Sequence, residues 1–168
     1  MAKLFGRIRE VEAAVYFETV LITKETIKSL VALSPVWTGA YVKSHNIGIV
    51  VKDRRHEPVA RTYSILTKLS VTEAMALKKS ILQNKKFDLM LIELGHKIII
   101  SNSIPYANKV EYIGWQLQRS YFVYSKTKIL IKNRQKQLKF TAEIYAKQLR
   151  NKLKKRKVNQ SDMRKLLL

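Results

Sequence analysis

Three observations predict an α+β domain: a long amphipathic stretch near the start of the chain, two short β-branched runs in the middle, and a second amphipathic stretch near the end. The expected architecture is a small antiparallel β-sheet, built from runs over 41–52 and 97–102, packed by a long N-terminal helix and a long C-terminal helix. With 168 residues and no cysteine, the chain must bury its core without disulfides or thiolate-bound zinc, and it is long enough to do so. Residues 1–157 are expected to form one domain, and 158–168 a basic tail, open to disorder, where the periodic pattern is lost.

The first helix is expected over about 7–33. Val11, Ala14 or Val15, Glu18, Leu21 or Ile22, Ile27, Leu30 and Val31 recur at helical spacing. The apolar face is broad around Val20, Leu21 and Ile22, which marks these three for core or for contact with a neighbouring subunit. Pro35 disfavours helical geometry in Ser34 and stops the helix there. After a turn through Gly39 comes a strand over about 41–52, in which Ile47, Ile49 and Val51 share one face.

The polar cluster Asp53, Arg54, Arg55, His56, Glu57 and Pro58 breaks regular structure and reads as an exposed loop. The run 59–69 is left open between a strand and an irregular excursion. Thr72 is the expected N-cap of a helix over 73–83 carrying Ala74, Leu77 and Ile81 on one face. Gly95 then lets the backbone bend into Ile98, Ile99 and Ile100. Asn102, Ser103 and Pro105 end that strand. Pro105 suits the first turn of a short helix, and Tyr106, Lys109 or Val110, and Ile113 follow at helical steps until Gly114. A last helix is expected over about 125–155, marked by Leu138, Ala142, Leu149 and Leu153.

Charge is concentrated at this end. Residues 119–168 hold sixteen Lys or Arg against two acids, Glu143 and Asp162, and so carry +14 of a formal net charge of +21. The cluster Lys147, Arg150, Lys152, Lys154, Lys155, Arg156 and Lys157 exceeds what a helix C-terminus needs to balance its dipole. Three readings compete: a solvated, self-repelling tail; sequence-independent contact with nucleic-acid phosphates; and docking on an acidic protein face.

Two blocks of residues carry a family resemblance. The first is Pro35, Val36, Thr38 and Gly39 followed by Ser44; the second is Ser101, Asn102, Pro105, Tyr106, Ala107, Val110, Glu111, Tyr112, Gly114 and Trp115. In this order and at this separation they resemble the neck and tail-completion (head–tail joining) proteins of long-tailed, lambda-like phages. The resemblance spans about 11–115. Two departures stand out: Ile113 is inserted between Tyr112 and Gly114, and the run that usually follows the tryptophan is replaced by 116–124.

The resemblance implies a structural virion protein of the phage neck, assembled in the host cytoplasm. It implies an oligomeric ring, a hexamer or a dodecamer, that joins the DNA-filled head to the tail. The implied partners are the portal-associated connector, the tail terminator or tail tube, and packaged DNA touched without base specificity. Within it, Pro35, Thr38, Gly39, Ser44, Asn102, Pro105, Tyr106, Ala107, Glu111, Tyr112, Gly114 and Trp115 are structural residues of a corner.

Enzyme signatures are absent from the sequence: no glycine-rich phosphate loop, no G-x-S-x-G elbow, and no paired acids at site-like spacing. Glu111 is the one acid worth weighing as a general acid, against the plainer expectation that it pairs with a lysine or arginine, within the chain or across a subunit contact. His45, His56 and His96 stand apart without metal-ligand spacing and read as strand-edge or loop residues, so no metal or other cofactor is expected. No run is apolar enough to span a membrane and no signal core follows Met1, so a membrane partner is not expected. The alternative function is a stand-alone basic nucleic-acid-binding protein, with Tyr121, Phe122 and Tyr124 near Lys126 and Lys128 as a stacking platform for exposed bases.

Overall fold

The structure, a computed structural model, describes residues 2–36, 39–50, 68–83, 92, 97–113 and 120–153. Its elements in chain order are α1 (Ala2–Leu33), α2 (Ala40–Lys43), β1 (His45–Val50), α3 (Val71–Gln83), β2 (Lys97–Asn102), a π-helical turn (Lys109–Ile113) and α4 (Val123–Leu153). This is the expected α+β arrangement: two long helices packed on each other beside a two-stranded antiparallel sheet.

The two long helices run antiparallel, because the start of α1 meets the end of α4 and the end of α1 meets its middle. Glu10 accepts a hydrogen bond from Arg150 at 2.7 Å, and Glu25 accepts one from Arg134 at 3.2 Å. Between these clasps Phe17, fully buried, packs with Ala142, Ala146 and Leu149. Small alanines on α4 leave room for the Phe17 ring, and Tyr145 meets that ring edge-on with centroids 5.9 Å apart. Each exposed ion pair adds at most about 1 kcal/mol. Burying a large apolar side chain contributes about 1.5–3 kcal/mol, so apolar contact dominates the pairing.

Pairing of β1 with β2 sets His45 opposite Asn102 and Ile47 opposite Ile100. Ile47 and Ile100 face the helices and pack on Ile27, Val31 and Val42, together with Leu77 and Ile81 of α3. A lone pair of strands is marginal in water, so this helical backing is what holds it. A further cluster of Leu30, Ala40, Tyr41, Ile104, Val110 and Val123 gathers the ends of five segments at one corner.

Several boundaries differ from expectation for identifiable reasons. Residues 40–43 are a helical turn, not strand: Lys43 N–H reaches the Gly39 carbonyl at 3.1 Å, and Ala40, Tyr41 and Val42 are all buried, as a turn under the core allows. Gly39 opens it with φ 80°, a left-handed backbone that glycine adopts without penalty. The cap of α3 is Ser70, not Thr72. Its hydroxyl accepts from Glu73 N–H at 3.3 Å while Glu73 Oε2 accepts from Ser70 N–H at 2.8 Å, a reciprocal capping box. After Pro105 the chain makes a turn and then a π-helical one, not a regular α-helix. The loop 53–58, the run 59–67 and the tail 158–168 lie outside the described residues. No helix among the described residues is long and apolar enough to cross a membrane.

Candidate functional site: a buried polar corner beside a basic helix

The corner where α1, α2, β1, β2 and α4 meet concentrates the buried polar side chains. Ser34 is 2% exposed, Ser44 0%, His45 1% and Glu111 4%. Burial of so many polar groups is tolerable only if they satisfy one another.

Ser44 sits where α2 hands over to β1. Its hydroxyl donates to Asn102 Oδ1 at 2.5 Å, across 58 residues of sequence. Asn102 Nδ2 donates to the Tyr41 carbonyl at 3.0 Å, and Asn102 Oδ1 also accepts from Ile104 N–H at 3.1 Å. Ser103 N–H closes on the Ser44 carbonyl at 3.1 Å. The strand ends are thereby locked to each other and to the turn that follows β2.

His45 extends the lock to both long helices. Ser34 Oγ lies 2.6 Å from the Leu30 carbonyl, to which it donates, and 2.7 Å from His45 Nε2. The Ser34 proton being committed to Leu30, His45 Nε2 carries hydrogen and donates to Ser34, and His45 Nδ1 accepts from Tyr124 Oη at 3.0 Å. The Ser34–His45 distance suits a nucleophile and its base, yet the serine proton points at a helix carbonyl and both residues are sealed from solvent. The contact is an anchor between α1 and β1. His45 is thus a core residue rather than the strand-edge or loop residue expected, and His56 and His96 lie outside the described residues.

Glu111 is the main correction at the corner. Its Oε2 accepts from Tyr124 N–H at 3.1 Å, and its Oε1 accepts from Ser125 N–H at 3.0 Å and from Ser125 Oγ at 3.1 Å. These are the orphan amides of the first turn of α4, so Glu111 caps that helix from 13 residues away. No lysine or arginine pairs with it among the described residues. Its charge lies on the favourable end of the α4 dipole. The residue at the N-cap position itself is Phe122, at φ 50°, whose side chain offers no acceptor.

Burial pushes the hydroxyls of Tyr41 and Tyr124 well above the ordinary phenol range. The neighbouring Tyr124 phenol oxygen adds to this for Tyr41, and the Glu111 charge adds to it for both. Tyr41 Oη and Thr127 Oγ1 are buried without a partner.

The remaining residues singled out from sequence divide clearly. Tyr106 and Ala107 pack on the corner core, while Pro105 is exposed and Tyr112 is 62% exposed. Pro35 follows α1 half-buried, and Gly39 makes the left-handed turn. Thr38, Gly114 and Trp115 lie outside the described residues. Of the candidate subunit contacts, Val20 is 2% exposed and belongs to the interior of this chain, Leu21 is half-buried against the Phe17 cluster, and Ile22 is half-buried. Among the described side chains of α1, the large apolar ones most open to solvent are Val11 and Val15, which line an open groove of about 500 Å³ with Glu10, Glu18, Lys139 and Lys147.

Within the basic cluster, Lys147 is exposed, whereas Arg150 is clasped by Glu10. The side chain of Lys152 and all of Lys154, Lys155, Arg156 and Lys157 lie outside the described residues. The proposed stacking platform is dismantled: Tyr121 and Tyr124 pack on the corner core, and only Phe122, 42% exposed, remains on the surface.

Among the described residues no three His, Asp or Glu side chains gather as metal ligands would. No family model, curated protein or solved structure matches the chain.

Proposed function

We propose that this chain is a structural subunit of the phage neck, an oligomeric ring that joins the DNA-filled head to the tail and continues the DNA channel. The observation that supports this most is the meeting of the two sequence blocks on which the resemblance rests. Ser44 from the first and Asn102 from the second share a 2.5 Å hydrogen bond, and Glu111 of the second block ties the same corner to α4. A motif whose members hold segments together, rather than lining a cleft, suits a scaffold role. The reading is non-enzymatic. Ring closure requires heterologous contacts between identical subunits with the correct rotation, and exposed Val11 and Val15 offer an apolar surface on α1 for such a contact.

The test is location and assembly. Antibody labelling of intact particles places the protein at the head–tail joint, and loss of the gene leaves filled heads and finished tails unjoined. Absence of the protein from the particle, or normal joining without it, overturns the proposal.

A further inference from the structure

We propose that the outward face of α4, from Lys128 to Lys147, is a seat for the phosphate backbone of double-stranded DNA, engaged without regard to base sequence. This deepens the neck reading by taking from it only the expectation that a duplex lies within reach.

Lys128, Lys132, Lys136, Lys139 and Lys147 are all exposed and recur at three- and four-residue steps, broken only by Glu143. On an α-helix these positions fall within roughly 100° of arc, and the row runs for about 28 Å, so the lysines form one stripe along a single side of the helix. A duplex presents a phosphate charge every ~1.7 Å of its axis, and a stripe of flexible cations can neutralise one side of such a rod.

The composition of the row suits phosphate contact better than base reading. Guanine recognition in the major groove most often uses arginine, but both described arginines of α4 are held by acids of α1, Arg134 by Glu25 at 3.2 Å and Arg150 by Glu10 at 2.7 Å. Phe140, 64% exposed, stands one turn after Lys136 at the edge of the stripe, a single ring and so too little to stack a run of successive bases. The acids that approach the row, Glu143 with Glu10 and Glu18 across the groove, lie beside Lys139 and Lys147. The weight therefore falls on Lys128, Lys132 and Lys136, with Lys139 completing the run at the edge of the groove. These four lie outside the Lys147–Lys157 cluster that the sequence alone singled out.

Five phosphate contacts contribute about −4.5 to the slope of log K against log salt, equivalent to about 500-fold in affinity between 50 and 200 mM. The experiment is fluorescence anisotropy of the full chain on two unrelated duplexes of equal length across that salt range. It compares K128Q/K132Q/K136Q/K139Q with a charge-matched control, K28Q/K79Q/K97Q/K109Q, and with a chain ending at Asn151; circular dichroism checks each fold. The expected result is equal affinity for the two duplexes, a slope smaller by about 3 to 4 in the α4 variant, and a much smaller change in the control. Equal loss in both variants means diffuse attraction by net charge and overturns the proposal. Slope lost only on truncation assigns binding to 152–168 and overturns it too. A chain that ignores duplex but binds an acidic peptide makes the face a protein-docking surface instead. Particle joining is unaffected by any of these solution results, so failure here is distinguishable from failure of the neck reading.

Discussion

Replacing Glu111 with alanine is the sharpest test of the corner. The substitution strands two backbone amides, Tyr124 N–H and Ser125 N–H, and one hydroxyl, Ser125 Oγ, at a position 4% exposed. A lost N-cap costs about 0.5–2 kcal/mol, and each hydrogen bond to a charged group is worth about 1.5–3 kcal/mol when its partner is left buried. These terms overlap, and water entering the vacated space recovers part of them. The expected net loss is about 3 kcal/mol, or roughly 6–12 °C in Tm for a domain of this size. Glu111→Gln keeps the shape and one acceptor oxygen but turns an amide group toward donors, and should lose about half as much. Urea unfolding followed by circular dichroism gives the free energies, and amide exchange at Tyr124 and Ser125 reports the first turn of α4 directly. If Glu111 instead served a cation, Glu111→Gln would cost as much as Glu111→Ala, the cost would shrink with added salt, and exchange at the start of α4 would not change. That pattern refutes the capping assignment.

Three further expectations follow from the same structure. Gly39→Ala should destabilise by about 1–2 kcal/mol from its left-handed backbone alone, and by more because a Cβ there would stand 2.5 Å from Leu77 Cδ2; adding Leu77→Ala should not restore wild-type stability, since the backbone strain persists. Phe17→Ala should cost about 3–5 kcal/mol, read as a fall in the urea midpoint with α1 and α4 losing exchange protection together. The Ser70 hydroxyl and amide hold the Glu73 carboxyl below its ordinary value. Its contribution is therefore present above the unfolded-state pKa and disappears as pH falls through the lowered folded value; helical signal should drop at acid pH, and Ser70→Ala should shrink that part of the acid transition, the backbone N–H at 70 keeping the remainder.

Local patterns in the sequence carried the long helices well, because an amphipathic stripe survives whatever it packs against. Both β-strands were legible for a similar reason: Ile98, Ile99 and Ile100 stop at Asn102 wherever the partner strand lies. Errors arose where a local preference was weak and burial decided. Tyr41 and Val42 suit a strand by propensity, yet the turn from Gly39 winds them into a helix under the core. Ser70 and Thr72 are comparable caps on paper, and the spacing to Glu73 favours Ser70, a signal that was present and missed.

The sequence by itself determined the α+β class, the positions of two long helices and two strands, and a cationic C-terminal third. Composition and period encode these without reference to distant residues. Only the tertiary structure decided what the chemistry-bearing residues do, since each takes its role from a partner far along the chain. Glu111 became a helix cap because α4 begins beside it, and His45 became an anchor because Ser34 and Tyr124 close on its two nitrogens. Arg134 and Arg150 became clasps on α1 because the helices pair antiparallel, and the remaining positive charge of α4 stands on exposed lysines. A hydrogen bond spanning 58 residues leaves no local trace in composition or period, so the corner could be named from the sequence but its wiring could not.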